Sequence, residues 1–122
     1  NNIDVIINCS TDIPFIELDS IKMTYRFPIE DDLSDQHVDN MAQNIGKYVD
    51  IIRKHIKNNN NVYVHCRAGI QRSPSVIIGY LIKYNDMDLA QAISYLRSVR
   101  NGVFRPENHF YKSLKSYELN IR

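Results

Sequence analysis

A chain of 122 residues with 43% hydrophobic side chains is long enough for one compact domain with a single core. A formal net charge of +1 excludes a nucleic-acid or membrane-surface protein that works by bulk electrostatics. Two cysteines do not make a disulfide framework, no apolar run reaches the roughly 18 residues of a membrane span, and no signal-peptide pattern opens the chain. An intracellular protein of the cytoplasm or nucleus is therefore predicted. The first residue is Asn rather than Met, so the single domain assigned to residues 1–122 is expected to lack some upstream chain.

Residues 3–9 (IDVIINC) form a short β-branched run with little alternation, which predicts a strand buried on both faces. Ser10 to Pro14 is turn-like and closes it. Residues 21–27 (IKMTYRF) predict a second strand, ended by Pro28. The acidic stretch 28–35 reads, on composition alone, as a solvated surface loop. From about 37 to 58, Val38, Met41, Ile45, Tyr48, Val49, Ile52 and Ile56 recur at spacings of three and four. They predict an amphipathic helix capped by Ser34 or Asp35 and ended by the polar run 58–61.

Val62, Tyr63 and Val64 then read as a buried strand, and residues 76–82 as a helix apolar nearly all round. Pro74 suits the first position of that helix, with Ser73 as its N-cap. Asp88 with Gln91 resembles a capping box, followed by an apolar face of Leu89, Ala92, Ile93, Leu96 and Val99. Arg97 and Arg100 lie on or beside that face, Arg97 reading as part of a solvated helix end. Asn101-Gly102 ends the helix, and Phe110, Leu114 and Tyr117 mark a closing one. The pattern predicts an α/β domain, a twisted mixed central sheet flanked by helices on both faces.

The most informative stretch joins the third strand to its helix: His65-Cys66-Arg67-Ala68-Gly69-Ile70-Gln71-Arg72-Ser73-Pro74-Ser75. A strand, a tight loop and a helix N-terminus here bracket one cysteine and one arginine. Loop N–H groups and the positive end of a helix converging on one spot make an anion site. Gly69 lets the backbone approach the bound group, and Arg72 offers a planar fork for two phosphate oxygens. The same positive field favours the thiolate of Cys66, its nucleophilic form. An open α/β sheet places such a loop at the carboxyl end of a central strand.

His-Cys-x-x-Gly-x-x-Arg-Ser resembles the phosphate-binding signature of the cysteine-dependent protein tyrosine phosphatases, and HCRAGIQRSPS is most similar to the dual-specificity branch. The likeness extends over residues 3–118. Phe27-Pro28-Ile29-Glu30-Asp31 matches the family's acid loop, which puts Asp31 at the general-acid position, with Asp32 the neighbour most easily confused with it and Glu30 one residue off the pattern. Arg105-Pro106-Glu107-Asn108-His109-Phe110 is similar to a family turn, although Glu107 stands where Asn is preferred and Ser113 where Gln is preferred.

The resemblance implies a protein tyrosine phosphatase-like fold and hydrolysis of phosphotyrosine and phosphoserine/threonine in proteins. Cys66 would be the nucleophile and Asp31 the acid, and Ser73 would help the sulfur depart. Arg67, Ala68, Gly69, Ile70, Gln71 and Arg72 would hold phosphate, with His65 fixing the loop through the backbone near Cys66. No cofactor or metal is expected, and His37, His55 and His109 are scattered singly. Phosphorylated proteins are the expected partners, with no nucleic acid and no membrane. A phosphoinositide or RNA 5′-triphosphate phosphatase on the same loop, and a phospho-binding pseudophosphatase, are the alternatives. Some relatives guard the nucleophile with a reversible disulfide, a role open to Cys9; its other reading is a small buried apolar residue.

Overall fold

The computed structural model describes residues 2–30, 34–67, 71–104 and 110–121. Three strands, β1 (Val5–Asn8), β2 (Met23–Arg26) and β3 (Val62–His65), alternate with or precede four helices, α1 (Asp35–Lys57), α2 (Arg72–Tyr84), α3 (Leu89–Val99) and α4 (Phe110–Ile121). The sheet order is β2-β1-β3. Val5 pairs with Met23 and with Val62, and Asn8 with Arg26 and with His65.

Both pairings among the described residues are parallel. The reason lies in the connections. Residues 9–22 cross from β1 to β2 and α1 crosses from β2 to β3, and a crossover returns a strand in the same direction. Every residue of β1 is buried, as expected of the central strand, whereas Met23 and Thr24 on the outer strand β2 are exposed.

The alternation of the strands sorts the core. Ile7, Cys9, Phe27 and Cys66 join Met41, Ile45, Tyr48 and Val49 of α1 and the buried faces of α2, α3 and α4 in one cluster. Phe27 stacks on Tyr48 with centroids 4.3 Å apart, and the Tyr48 hydroxyl donates to the Arg26 carbonyl at 2.7 Å. Gly79 brings α2 against α1 closely: a Cβ there would stand 2.9 Å from Ile45 Cδ1 and 3.2 Å from Val49 Cγ2. Beside Asn8, Arg26 reaches the loop after β1, donating to the carbonyls of Ser10 at 3.1 Å and Ile13 at 2.9 Å and lying over the Phe15 ring.

Local chemistry accounts for some of the helix ends. Ser34 occupies the N-cap of α1, and Asn59 takes the left-handed turn after its end at φ 61°. The Asp88–Gln91 capping box forms in both directions. Two expectations change. First, α2 begins at Arg72, one residue before the predicted cap Ser73, and Gln71 is its N-cap. Pro74 is tolerated in this first turn because those N–H groups have no intrahelical partner. The N–H of Ser73 finds the Cys66 sulfur instead. Second, Arg97 is no solvated helix end: its guanidinium donates to the Val103 carbonyl at 3.2 Å and to that of Phe104, fastening the turn after α3. The turn read at 105–109 lies outside the described residues.

Candidate active site

The site is assembled at the carboxyl end of β3. Cys66 is the next residue after the strand and is buried. The Cys9 N–H donates to the His65 carbonyl at 2.7 Å, so β1 and β3 stay in register up to that point. After the loop, the first turn of α2 presents Ser73 to the sulfur from two sides, with Oγ 3.3 Å and the N–H nitrogen 3.5 Å from Cys66 Sγ. Free amides at a helix start carry partial positive charge, so this turn favours a charged sulfur over a neutral one.

Arg72 enters from the same turn and is only 7% exposed. Its Nη1 donates to the Ile29 carbonyl at 3.2 Å and to Glu30 Oε1 at 3.3 Å. The loop after β2 is thereby held against the α2 N-terminus. Asp31 and Asp32, which follow directly, lie outside the described residues, as do Ala68, Gly69 and Ile70 of the cradle. Gln71 is half-buried, and its carbonyl accepts from the Ser75 N–H at 3.1 Å and the Ser75 hydroxyl at 2.6 Å. Arg67 is exposed and stands 3.5 Å from the Asp12 carboxylate, also exposed, so the pair contributes little to stability.

Two neighbours report on the electrostatics. Burial pushes the His65 imidazole below its ordinary pKa, with Arg26 acting in the same direction and a hydrogen bond to the Cys66 backbone opposing them. The Cys9 thiol is pushed strongly upward, first by burial and then by the charge of Cys66, with Arg72 acting the other way. Cys9 therefore stays a neutral thiol at pH 7, and no disulfide joins it to Cys66.

Sequence patterning missed several participants. Glu30 lies one residue off the acid position in the sequence, yet among the described residues it is the carboxylate that meets Arg72. Thr11 donates its hydroxyl to the other Glu30 oxygen. Arg100 joins Tyr63, Val64, His65, Cys66, Arg67 and Ser73 around a cavity of about 180 Å³. Local sequence does not mark Thr11, whose hydroxyl meets Glu30 from the loop after β1. Among the described residues a larger cavity, about 710 Å³, runs along Ile52, Ile56, Val62, Tyr63, Ile77 and Tyr80. No cysteine, Asp or Glu lines it, so size alone does not identify the site.

A parallel sheet with a cysteine at the carboxyl end of strand β3, an arginine one loop later and a helix N-terminus over the sulfur defines a protein of the cysteine-dependent phosphatase class. More narrowly, residues 1–120 match the dual specificity phosphatase catalytic domain family, and the chain belongs to that family. It is 27% identical over 121 residues to human dual specificity protein phosphatase 21, covering 99% of this chain and 60% of that protein. It is 30% identical over 122 residues to human dual specificity protein phosphatase 16, covering all of this chain and 18% of that one. The chain thus spans less than two thirds of the length of these relatives. The crystal structure of human DUSP28 superposes with a TM-score of 0.85 at 22% identity, covering 98% of this chain and 76% of that one, a likeness of fold.

Proposed function

We propose that this domain is a dual-specificity protein phosphatase that hydrolyses phosphotyrosine and phosphoserine/threonine through a phosphocysteine intermediate. The observation that carries the reading is the convergence of Cys66 Sγ, the Ser73 hydroxyl and N–H, and the buried Arg72 at one helix N-terminus. In the first step Cys66 sulfur attacks phosphorus in line, the P–O bond to the leaving group breaks, and Asp31 gives that oxygen its proton. In the second, water attacks phosphorus, Asp31 takes the proton, and the P–S bond breaks. Ser73 donates to the departing sulfur, while Arg72 and the loop amides of residues 67–72 hold the equatorial oxygens as charge redistributes.

Protein substrates are favoured over phosphoinositides or RNA 5′-triphosphates. Gln71 leaves the position before Arg72 neutral, and Arg67 already faces the Asp12 carboxylate. A nucleophilic thiolate at this site implies a reducing compartment, cytoplasm or nucleus. The experiment is turnover of a generic aryl phosphate, then of a phosphopeptide panel beside phosphoinositides and triphosphate RNA, by wild type and Cys66→Ser. Hydrolysis that survives Cys66→Ser would refute the mechanism. Tight phosphopeptide binding with no turnover by wild type would make the domain a phospho-binding module instead.

A further inference from the structure

We propose that Glu30 is a positioning residue, a carboxylate that latches the segment entering the acid loop onto Arg72 and tempers the affinity of the cradle for anions. This rests on the phosphatase reading above and adds a residue to it. The Glu30 carboxylate is divided between two partners. Oε1 stands 3.3 Å from Arg72 Nη1, and Oε2 accepts from the Thr11 hydroxyl. The Glu30 N–H donates to His37 Nδ1, 3.2 Å away in the first turn of α1. Ile29, just before it, is fully buried and gives its carbonyl to the same Nη1. The stretch 29–30 is therefore tied to α2, to α1 and to the loop after β1 at once, and Asp31 follows it by a single peptide bond.

The arginine side explains why this latch is compatible with phosphate. Both contacts use Nη1; among the described residues the Nε–Nη2 edge makes no hydrogen bond, and that edge has the fork geometry that suits two phosphate oxygens. Arg72 is 8% exposed at its side chain and Glu30 39%, so one partner is withdrawn from water and the interaction is less screened than a surface pair. A fixed negative charge on the far side of the guanidinium repels an incoming dianion through a poorly screened medium. Glu30 thus trades anion affinity for placement of the acid segment.

The test uses Glu30→Gln, which keeps shape and removes the charge, and Thr11→Val, which frees the carboxylate from its second partner. Tungstate binding is read by calorimetry. Rates are read on phenyl phosphate, whose leaving group needs a proton, and on p-nitrophenyl phosphate, which needs one much less. Glu30→Gln should bind tungstate about fivefold tighter. It should lose about tenfold in rate on phenyl phosphate and only about twofold on the activated ester. Thr11→Val should move rates in the same direction by less. Tungstate affinity equal to or weaker than wild type, or equal losses on both esters, overturns the latch. A wild-type protein that fails to bind tungstate overturns the phosphatase reading itself, which the latch variants alone cannot do.

Discussion

Ser73→Ala removes one hydroxyl and nothing else of consequence, since the residue is buried in the first turn of α2 and alanine suits a helix. The hydroxyl lies 3.3 Å from Cys66 Sγ, and the Ser73 amide at 3.5 Å remains in the variant. A hydrogen bond to a charged group contributes about 1.5–3 kcal/mol. If that bond is spent on the thiolate, its loss raises the Cys66 pKa by about 1–2 units, because one unit corresponds to 1.36 kcal/mol. The remaining amide favours the lower end. The same bond stabilises sulfur leaving the phosphocysteine, so the second step slows by about 10–100-fold. Two assays separate these effects. The pH dependence of iodoacetate alkylation reports the thiolate, and stopped-flow hydrolysis of an aryl phosphate should show a burst of phenolate followed by slow turnover as phosphoenzyme accumulates. An unchanged alkylation midpoint together with burst-free turnover at the wild-type rate would refute the assigned role of Ser73.

Arg72→Lys keeps the charge but loses the fork and the reach to the Ile29 carbonyl, so phosphate-analogue affinity and kcat should each fall at least about tenfold; a variant within twofold of wild type would show the fork unused. Asp31→Asn should slow phosphothreonine hydrolysis more than phosphotyrosine, by up to about 10²–10⁴, and flatten the basic limb of the pH–rate profile while leaving the acidic limb, which reports Cys66. If Asp32→Asn flattens that limb and Asp31→Asn does not, the acid is the next residue. Cys9 and Cys66 follow a paired position in adjacent parallel strands, where Cα spacing of about 5 Å suits a disulfide, so peroxide should give a Cys9–Cys66 peptide; Cys66 sulfinic acid with no such peptide would exclude it. Gly79→Ala pushes a methyl to 2.9 Å from Ile45 Cδ1, and crowding of about 1–3 kcal/mol, offset by about 1 kcal/mol of helix propensity, should lower the denaturation midpoint in urea; a stabilised variant would mean that α1 and α2 separate without cost.

The features legible in the sequence share one property: their causes lie within a turn or two of chain. The three-and-four spacing of apolar residues placed α1, the Asp88–Gln91 capping pattern placed the start of α3, and an asparagine run placed the end of α1. The cradle was legible for the same reason, since Cys66, Arg72 and Ser73 are neighbours in one strand–loop–helix unit whose chemistry is local. What the tertiary structure alone decided joins residues far apart. Parallel pairing followed from where the crossovers returned each strand, which alternation cannot encode. Arg97 reads as solvated until a turn folds back to offer it two carbonyls. Glu30 and Arg72 are 42 residues apart, and only the packing of the loop after β2 on the N-terminus of α2 makes them a pair. A hydrogen bond or ion pair depends on distance in space, and one-dimensional patterning reports that distance only where the chain itself is short.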